Sequence, residues 1–195
     1  FNVNILLALP ASVGIFLLSK NIILFLAGSM YLPSANVLKV LACSIVLIAI
    51  SNLTGAHLLV AIGKEKICFY SVLVGIFFNI ITNLVLIPAY GALGAGVATL
   101  LSEFSVAVCE FFFVRKFFLY AYILKNVIQC IFSVLVMCIT VLVVLHFNLS
   151  GILSIGVSVC LGMIIYFFVL LLFRNDLFIE QSKKVIERCK NVFHK

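Results

Sequence analysis

Long apolar runs separated by short polar breaks make up most of the chain. A helix that crosses a membrane needs about 20 mostly apolar residues, and six runs are long enough. The runs do not alternate apolar and polar positions, which favours helices over the strands of a membrane barrel. The sequence therefore predicts an all-α, polytopic membrane helix bundle with six transmembrane helices, at approximately 3–27, 37–62, 67–87, 93–114, 126–146 and 152–173.

The same pattern divides the chain into a transmembrane bundle over 1–173 and a basic tail over 174–195. The tail places apolar residues between charges, at a spacing typical of a short amphipathic helix on an anionic membrane surface. An exposed, partly disordered tail is the alternative, and the sequence leaves both open. Because the first residue is Phe1 and an apolar run opens the chain, we expect an N-terminal portion to be missing.

The composition also indicates an integral membrane protein. Hydrophobic residues make up 66% of the chain and charged residues 10%, and the mean hydropathy is +1.37. Soluble domains are about 45–50% apolar and about 25% charged. The seven cysteines lack the spacing of a disulfide framework or a zinc site. We therefore expect neither a metal nor a cofactor.

The basic residues predict an orientation rather than a nucleic acid interface, although the formal net charge is +7. If the first helix starts in the cytoplasm, every Lys and Arg except Lys20 and Lys39 falls in a cytoplasmic loop or in the tail. Cytoplasmic loops of membrane proteins carry such an excess of Lys and Arg. The C-terminus is therefore predicted to be cytoplasmic.

Two glutamates in the fourth predicted helix are candidates for a substrate-binding or ion-binding site. Glu103 and Glu110 are about two helical turns apart, so they lie on one face. Ionisable groups at membrane depth are costly and usually face a cavity or a partner. Glu103 is either a structural hydrogen-bond partner of a neighbouring helix or a titrating carboxylate in a water-filled cavity. Glu110 either pairs with Arg115 and Lys116 at the cytoplasmic interface or belongs to the same site.

Lys20 and His57 are further candidates. In one interpretation the first span ends near Leu18, Lys20 reaches the outer headgroups, and the following residues form a short re-entrant or interfacial turn. In the other, Lys20 meets an anionic lipid headgroup inside a cavity. His57, in the second predicted helix, is either a satisfied hydrogen-bond partner, the commoner role of a lone histidine on an apolar helix, or a proton relay.

The stretch NIITNLVLIPAYGALGAGVAT at 79–99 predicts a tight helical hairpin. Asn79 and Asn83 form a polar stripe, and asparagines at membrane depth usually bond across to another helix. They are also candidates for substrate binding. Pro88 is expected to end the third helix and Gly91 to supply the turn. The small residues that follow give the fourth helix a smooth face for close packing.

The order of these motifs carries a family resemblance. The spacing G-x-x-x-N-x-x-x-N at Gly75, Asn79 and Asn83 is followed by LIPAYGALGAGVAT and then by Glu103. This resembles the oligosaccharide flippases of bacterial O-antigen and capsule pathways, within the multidrug/oligosaccharidyl-lipid/polysaccharide exporter superfamily. The resemblance covers roughly 7–115. Ala89 departs from the pattern, because a polar or basic residue is often found between the proline and the tyrosine.

The resemblance implies two six-helix lobes that face each other across a central cavity, with this chain forming most of the C-terminal lobe and trailing helices. It implies an undecaprenyl-diphosphate-linked oligosaccharide substrate for lipopolysaccharide or capsule synthesis. Alternating access, with proton or ion coupling, would move this substrate across the bacterial cytoplasmic membrane. Lys20 would meet the pyrophosphate, and Glu103 would exchange a proton or cation. The implied partners are the substrate, membrane lipids and the N-terminal lobe of the same chain, and no nucleic acid.

Other functions of a membrane bundle stay open to different degrees. A drug or cation exporter, or the lipid II flippase, of the same superfamily is an alternative, because the interior offers both Lys20 and Glu103. An enzyme is not expected, because the outer loops are short and the sequence has no nucleophile–base pair, metal-spaced cluster or phosphate-binding glycine loop. A purely structural scaffold has no positive feature in its favour.

Overall fold

The computed structural model describes residues 2–117, 120–147 and 151–173. Every regular element in these ranges is helical, and six helices are long and apolar enough to cross a membrane. This confirms the predicted all-α, six-helix membrane bundle. The bounds are α1 Asn2–Leu26, α2 Ser34–Ser51 followed by a π-helical segment Asn52–Leu59 (the π segment), α3 Glu65–Tyr90, α4 Ala92–Val114, α5 Tyr120–His146 and α6 Gly151–Leu172.

The helices do not pack in the order of the chain. α4 lies between α3 and α2, α2 contacts α1 on its other side, and α5 and α6 pack together against α1. The π segment contacts both α3 and α4. The basic tail at 174–195 lies outside the described residues, so its amphipathic helix stays a prediction.

Polar contacts tie α1 to its neighbours on two sides. Tyr166 of α6 is fully buried, and its hydroxyl donates a hydrogen bond of 2.8 Å to the backbone carbonyl of Leu6. Ser12 donates a hydrogen bond of 2.6 Å to the carbonyl of Ala42 in α2. Helices in lipid gain no hydrophobic drive from meeting each other, so packing and hydrogen bonds of this kind hold them together.

The outward faces of the bundle are apolar, and α3 is the most exposed helix. Only Ser71 and Gly75 of α3 are buried, whereas Phe69, Phe77 and Leu84 are each more than half exposed. A soluble monomer rarely exposes so large an apolar surface. In a bilayer this is the surface that lipid covers, as the hydropathy pattern predicts.

Pro88 does not end the third helix, contrary to the prediction. α3 continues to Tyr90 with Pro88 in its last turn. A proline there removes only one backbone donor, and its fixed φ is compatible with helix. The turn into α4 lies at Gly91, whose φ is +57°. This confirms the predicted role of Gly91, because left-handed backbone favours glycine.

The predicted turn after Leu18 is also wrong. α1 runs without a break past Lys20 to Leu26, because the residues after Asn21 are apolar and continue the helix. Asn21 itself donates a hydrogen bond of 3.3 Å to the Ser154 hydroxyl of α6. This contact helps to hold the end of α1 against the bundle.

Candidate functional site

A cavity of about 320 Å³ lies between α2, the π segment, α3 and α4. We call it the glutamate cavity. Glu103 lies at the middle of α4, and Glu110 lies about 10 Å further along the axis of that helix toward Val114. Among the described residues, no Lys, Arg or His lines this cavity. Its polar lining consists of Ser51, Asn52, Cys68, Ser102, Glu103 and Glu110.

Glu110 is the most deeply buried charged residue of the site, with 1% of its surface exposed. Its Oε2 lies 2.7 Å from the Thr54 hydroxyl, and its Oε1 lies 3.7 Å from the Cys68 thiol. The predicted pairing with Arg115 and Lys116 is therefore wrong. Arg115 follows Glu110 by five residues, which rotates its side chain about 140° away from Glu110 around the helix axis. The Arg115 guanidinium lies over the Phe112 ring, 4.2 Å from its centre.

The π segment forms the wall that faces Glu110. Thr54 is buried there, and Gly55 leaves room for the carboxylate, because a Cβ at this position would overlap Glu110 Oε1. The Thr54 hydroxyl also lies 3.0 Å from the carbonyl of Ile50. π-helical turns are rare and are frequent at functional sites. The π-helical backbone and Gly55 thus give this wall a shape that accommodates a carboxylate.

Glu103 is partly buried and follows Ser102 on the cavity wall. The Ser102 hydroxyl donates a hydrogen bond of 2.8 Å to the carbonyl of Gly75 in α3. Gly75 permits this approach, because a Cβ there would overlap Val106. Glu103 itself makes no hydrogen bond to another described residue. Its interpretation as a structural bond to a neighbouring helix is therefore wrong, and its carboxylate faces the cavity.

Four predicted site residues do not line the glutamate cavity, namely Lys20, His57, Asn79 and Asn83. Lys20 and His57 are exposed. His57 has no hydrogen bond to a described residue, so its prediction as a satisfied partner is wrong. The π segment turns Thr54 and Gly55 into the bundle and leaves His57 outside.

The asparagine pair bonds within its own helix. Asn83 Nδ2 donates a hydrogen bond of 2.8 Å to Asn79 Oδ1. The predicted bond across to another helix is therefore wrong, because side chains four residues apart on a helix are already neighbours. The small residues hold the hairpin closed instead. Gly94 is buried against the backbone of Leu86.

Four polar residues of the cavity lining were not predicted from the sequence, namely Ser51, Asn52, Cys68 and Ser102. Of these, Ser102 carries a signal, because it precedes Glu103. Cys68 belongs to a scattered set of cysteines without any spacing that marks it. Its position beside Glu110 comes from the way the first turn of α3 packs against α4.

A second cavity, of about 260 Å³, lies between α1, α5 and α6. Ser158 is its one polar residue among the described lining, and the rest is apolar or glycine. It offers no charged group. The glutamate cavity is therefore the candidate functional site.

Cys68 makes the charge of the glutamate cavity measurable. In a variant that retains Cys68 as its one cysteine, a cationic methanethiosulfonate is expected to react at least about tenfold faster than an anionic one, because carboxylates raise the local concentration of cations. A variant that retains only Cys160, which is exposed on α6, serves as the control and should show no such preference. Equal rates at Cys68 would contradict an anionic cavity.

Three relatives share part of their sequence with this chain. It is 38% identical over 79 residues to the uncharacterized membrane protein MJ1375 of Methanocaldococcus jannaschii, which covers 40% of this chain and 19% of that protein. It is 25% identical over 116 residues to MJ1068 of the same organism, 60% of this chain and 23% of the relative. It is 31% identical over 99 residues to the probable low-salt glycan biosynthesis flippase Agl15 of Haloferax volcanii, 51% and 21% of the two chains.

The chain thus spans about one fifth of the length of these relatives. No family model and no solved structure matches it. The relatives are named membrane proteins or a flippase, which agrees with six helices that can cross a membrane. All three are archaeal. The similarity therefore reaches a glycan flippase, but it does not support the bacterial O-antigen and capsule specialisation that the motifs imply.

Proposed function

We propose that the chain forms part of a flippase that moves a lipid-linked oligosaccharide across the cytoplasmic membrane. The observation that carries this proposal is a cavity with two carboxylates within the membrane-spanning helices of a chain that is similar to a glycan flippase. The substrate would be a polyprenyl-diphosphate-linked glycan, with undecaprenyl as the carrier in a bacterium. The protein would work by alternating access, with its C-terminus in the cytoplasm.

The physical problem that such a protein solves is the cost of moving a glycan through hydrocarbon. Each hydroxyl and each diphosphate charge would lose its water without gaining a partner, and the cost of every such group adds to the barrier. A polar cavity that opens to the lipid at its side supplies partners for the sugar hydroxyls, while the polyprenyl chain stays in the bilayer. No covalent bond changes, so the proposed activity is transport and not enzymatic.

We assign the binding of the diphosphate to two lysines, which lie on another face of the bundle. Lys20 lies one helical turn after Phe16 in α1, and the Lys39 ammonium of α2 lies 5.7 Å from the centre of the Phe16 ring. Both lie in the halves of α1 and α2 nearest the loop that joins them. A lysine near a helix end can reach the headgroup region with its charge, where a lipid diphosphate also lies.

The test is restoration of surface glycan by the complete gene in a host that lacks its own glycan flippase. The wild type is expected to restore polymerised glycan, normalised to the amount of membrane protein. Glu103→Gln and Lys20→Ala are expected to lower it about tenfold or more, which corresponds to about 1.4 kcal/mol. Glu65→Gln and Lys66→Ala are matched controls, because both residues are exposed at the start of α3 and lie outside the cavity.

The outcomes separate the function from the assignment of its residues. A wild type that restores no glycan in hosts with several different glycans would overturn the flippase proposal. If the wild type works and both test variants equal their controls, the flippase stands and the roles of Glu103 and Lys20 are wrong. Equal losses in test and control variants would also contradict the roles of these two residues.

An exporter of organic cations is a second candidate, and the glutamate cavity favours it specifically. Two carboxylates with no basic residue in the described lining attract a cation, whereas a diphosphate would be repelled there. The strains of the glycan experiment also test this candidate. Loss of the gene would raise sensitivity to cationic dyes, and Glu103→Gln would fail to protect, while surface glycan would stay unchanged.

A further inference from the structure

We infer that Glu110 is a reversible proton-binding site and that the Thr54 hydroxyl reverses its hydrogen bond when the proton arrives. This deepens the proposed function, because it assigns a coupling proton to Glu110 rather than to Glu103. The coupling rests on the proposed flippase function. The binding of the proton does not, since it follows from the contacts of Glu110 alone.

Three oxygen atoms surround the Thr54 hydroxyl. Thr54 Oγ1 lies 2.7 Å from Glu110 Oε2, 3.0 Å from the carbonyl of Ile50 and 3.4 Å from the carbonyl of Ser51. A hydroxyl carries one hydrogen and two lone pairs. It therefore donates to one of these oxygens at a time, and a second short contact is a hydrogen bond only if the other group donates.

Both protonation states of Glu110 satisfy this rule without movement of a heavy atom. When Glu110 is ionised, Thr54 donates to Oε2 and the Cys68 thiol donates to Oε1. When Glu110 is protonated on Oε2, it donates to Thr54, and Thr54 donates to the carbonyl of Ile50. A buried polar group that loses its partner is costly, and neither state of this site leaves the carboxyl or the hydroxyl without one.

The charges around Glu110 do not lock either state. From α3 it meets Cys68, the other carboxylate on α4 is Glu103, and the π segment presents Thr54 and Gly55, which do not titrate. Cys109 directly precedes Glu110 on α4 and has no hydrogen bond to a described residue. His57 of the π segment is exposed and outside the cavity. Among the described residues, no Lys, Arg or His forms an ion pair or hydrogen bond with Glu110. Burial without a cation opposes the ionised form.

Two features favour the ionised form of Glu110 and so oppose the effect of burial. Cys68 lies in the first turn of α3, so the positive end of the helix dipole faces the carboxylate and stabilises a negative charge. The hydroxyl and thiol donors stabilise it as well. The glutamate cavity, with its two serines, its asparagine and its second carboxylate, supplies a polar route by which a proton can reach Glu110.

Infrared difference spectroscopy between two pH values tests the inference on the complete gene product in lipid vesicles without substrate. The wild type is expected to lose the C=O band of a protonated carboxyl group as the pH rises. Glu110→Gln is expected to lose this pH-dependent band, and Glu103→Gln is expected to retain one. A wild type without such a band, or a band that persists in Glu110→Gln, would overturn the inference.

Two further measurements avoid any change at Glu110. The S–H stretch of Cys68, identified by its loss in Cys68→Ala, is expected to shift with the same pH midpoint as the carboxyl band, and an S–H band that does not move would overturn the inference. Thr54→Val is expected to shift the carboxyl band, while Thr54→Ser leaves it in place. Identical bands in both variants would contradict the role of the hydroxyl.

These results are separate from the glycan experiment. If the band belongs to Glu110 but Glu110→Gln still restores glycan to the wild-type level, the proton binds without coupling, and the coupling part is overturned. If the wild type restores no glycan while the band persists, the flippase proposal fails and the proton site stands.

Discussion

Replacing Gly94 with alanine is expected to destabilise the α3–α4 hairpin, whereas the same substitution at Gly156 is expected to be neutral or stabilising. A Cβ at Gly94 would overlap the backbone carbonyl of Leu86 in α3. A flexible side chain could rotate away, but a carbonyl within a helix cannot move without shifting α3. Overpacking of this kind costs about 1–3 kcal/mol.

Gly156 is the matched control, because both glycines lie within an α-helix and only their surroundings differ. It lies within α6, is exposed, and has no atom within 4 Å of the position that a Cβ would take. Replacing a glycine with alanine inside a helix gains about 0.5–1 kcal/mol when nothing interferes. The two substitutions are therefore expected to change stability in opposite directions.

The two variants are compared by their free energies of unfolding in mixed micelles of mild and denaturing detergent. A Gly94→Ala variant that unfolds at the same detergent fraction as Gly156→Ala would contradict the close approach of α3 and α4. The same measurement tests which residues hold the predicted hairpin over 79–99 closed. If small residues close the hairpin, Gly94→Ala should cost more than Asn83→Ala, which removes only a bond within α3.

The fold was largely predictable because the bilayer restricts what a chain can do. Backbone groups in hydrocarbon must bond within their own segment or within a closed barrel, so run length and hydropathy are enough to predict six helices. Gly91 was predictable for a similar reason, since the turn needs a left-handed residue and glycine adopts that conformation most easily. Helix ends were less predictable, and Pro88 fits the last turn of α3 instead of preceding it.

The partners inside the bundle could not be predicted from the same pattern. Helices that are apolar on most faces do not show by hydropathy which neighbour each face meets. The sequence places Glu110 near Arg115, but helix rotation separates them and packing brings Thr54 and Cys68 to the carboxylate. Both residues come from other helical segments, and no spacing in the chain connects them with Glu110.

The two glutamates also changed their roles once their surroundings were known. The sequence left two roles open for each residue: a structural bond or a cavity carboxylate for Glu103, and a pair with Arg115 and Lys116 or a place in the same site for Glu110. In the structure Glu103 lines the cavity without a hydrogen bond to a described residue, whereas Glu110 of α4 packs against Thr54 and Gly55 of the π segment. The cavity thus offers one carboxylate for a ligand and one with two alternative hydrogen-bond arrangements.

The fit between the π segment and Glu110 predicts a change of sign in a double-mutant cycle. Gly55→Ala alone is expected to cost about 1–3 kcal/mol, because its Cβ would overlap the Glu110 carboxylate. In a Glu110→Ala background the same substitution should cost nothing or stabilise the protein, because the carboxylate atoms are gone and the close atom that remains, Cys68 Sγ at 3.0 Å, ends a flexible side chain. Residues in direct contact show coupling energies of about 0.5–3 kcal/mol, and we expect a value above about 1 kcal/mol here.

The control cycle pairs Glu110→Ala with Gly156→Ala, whose effects should add because Gly156 has no close neighbour at its Cβ position. Unfolding free energies of all six proteins in the same detergent mixture complete both cycles. An additive result for Gly55 and Glu110 would mean that the carboxylate can leave the wall without cost, and the fit would then be incidental. A non-additive result would mean that the π segment and the carboxylate form one packed unit, since glycine at position 55 would then stabilise the protein only when Glu110 is present.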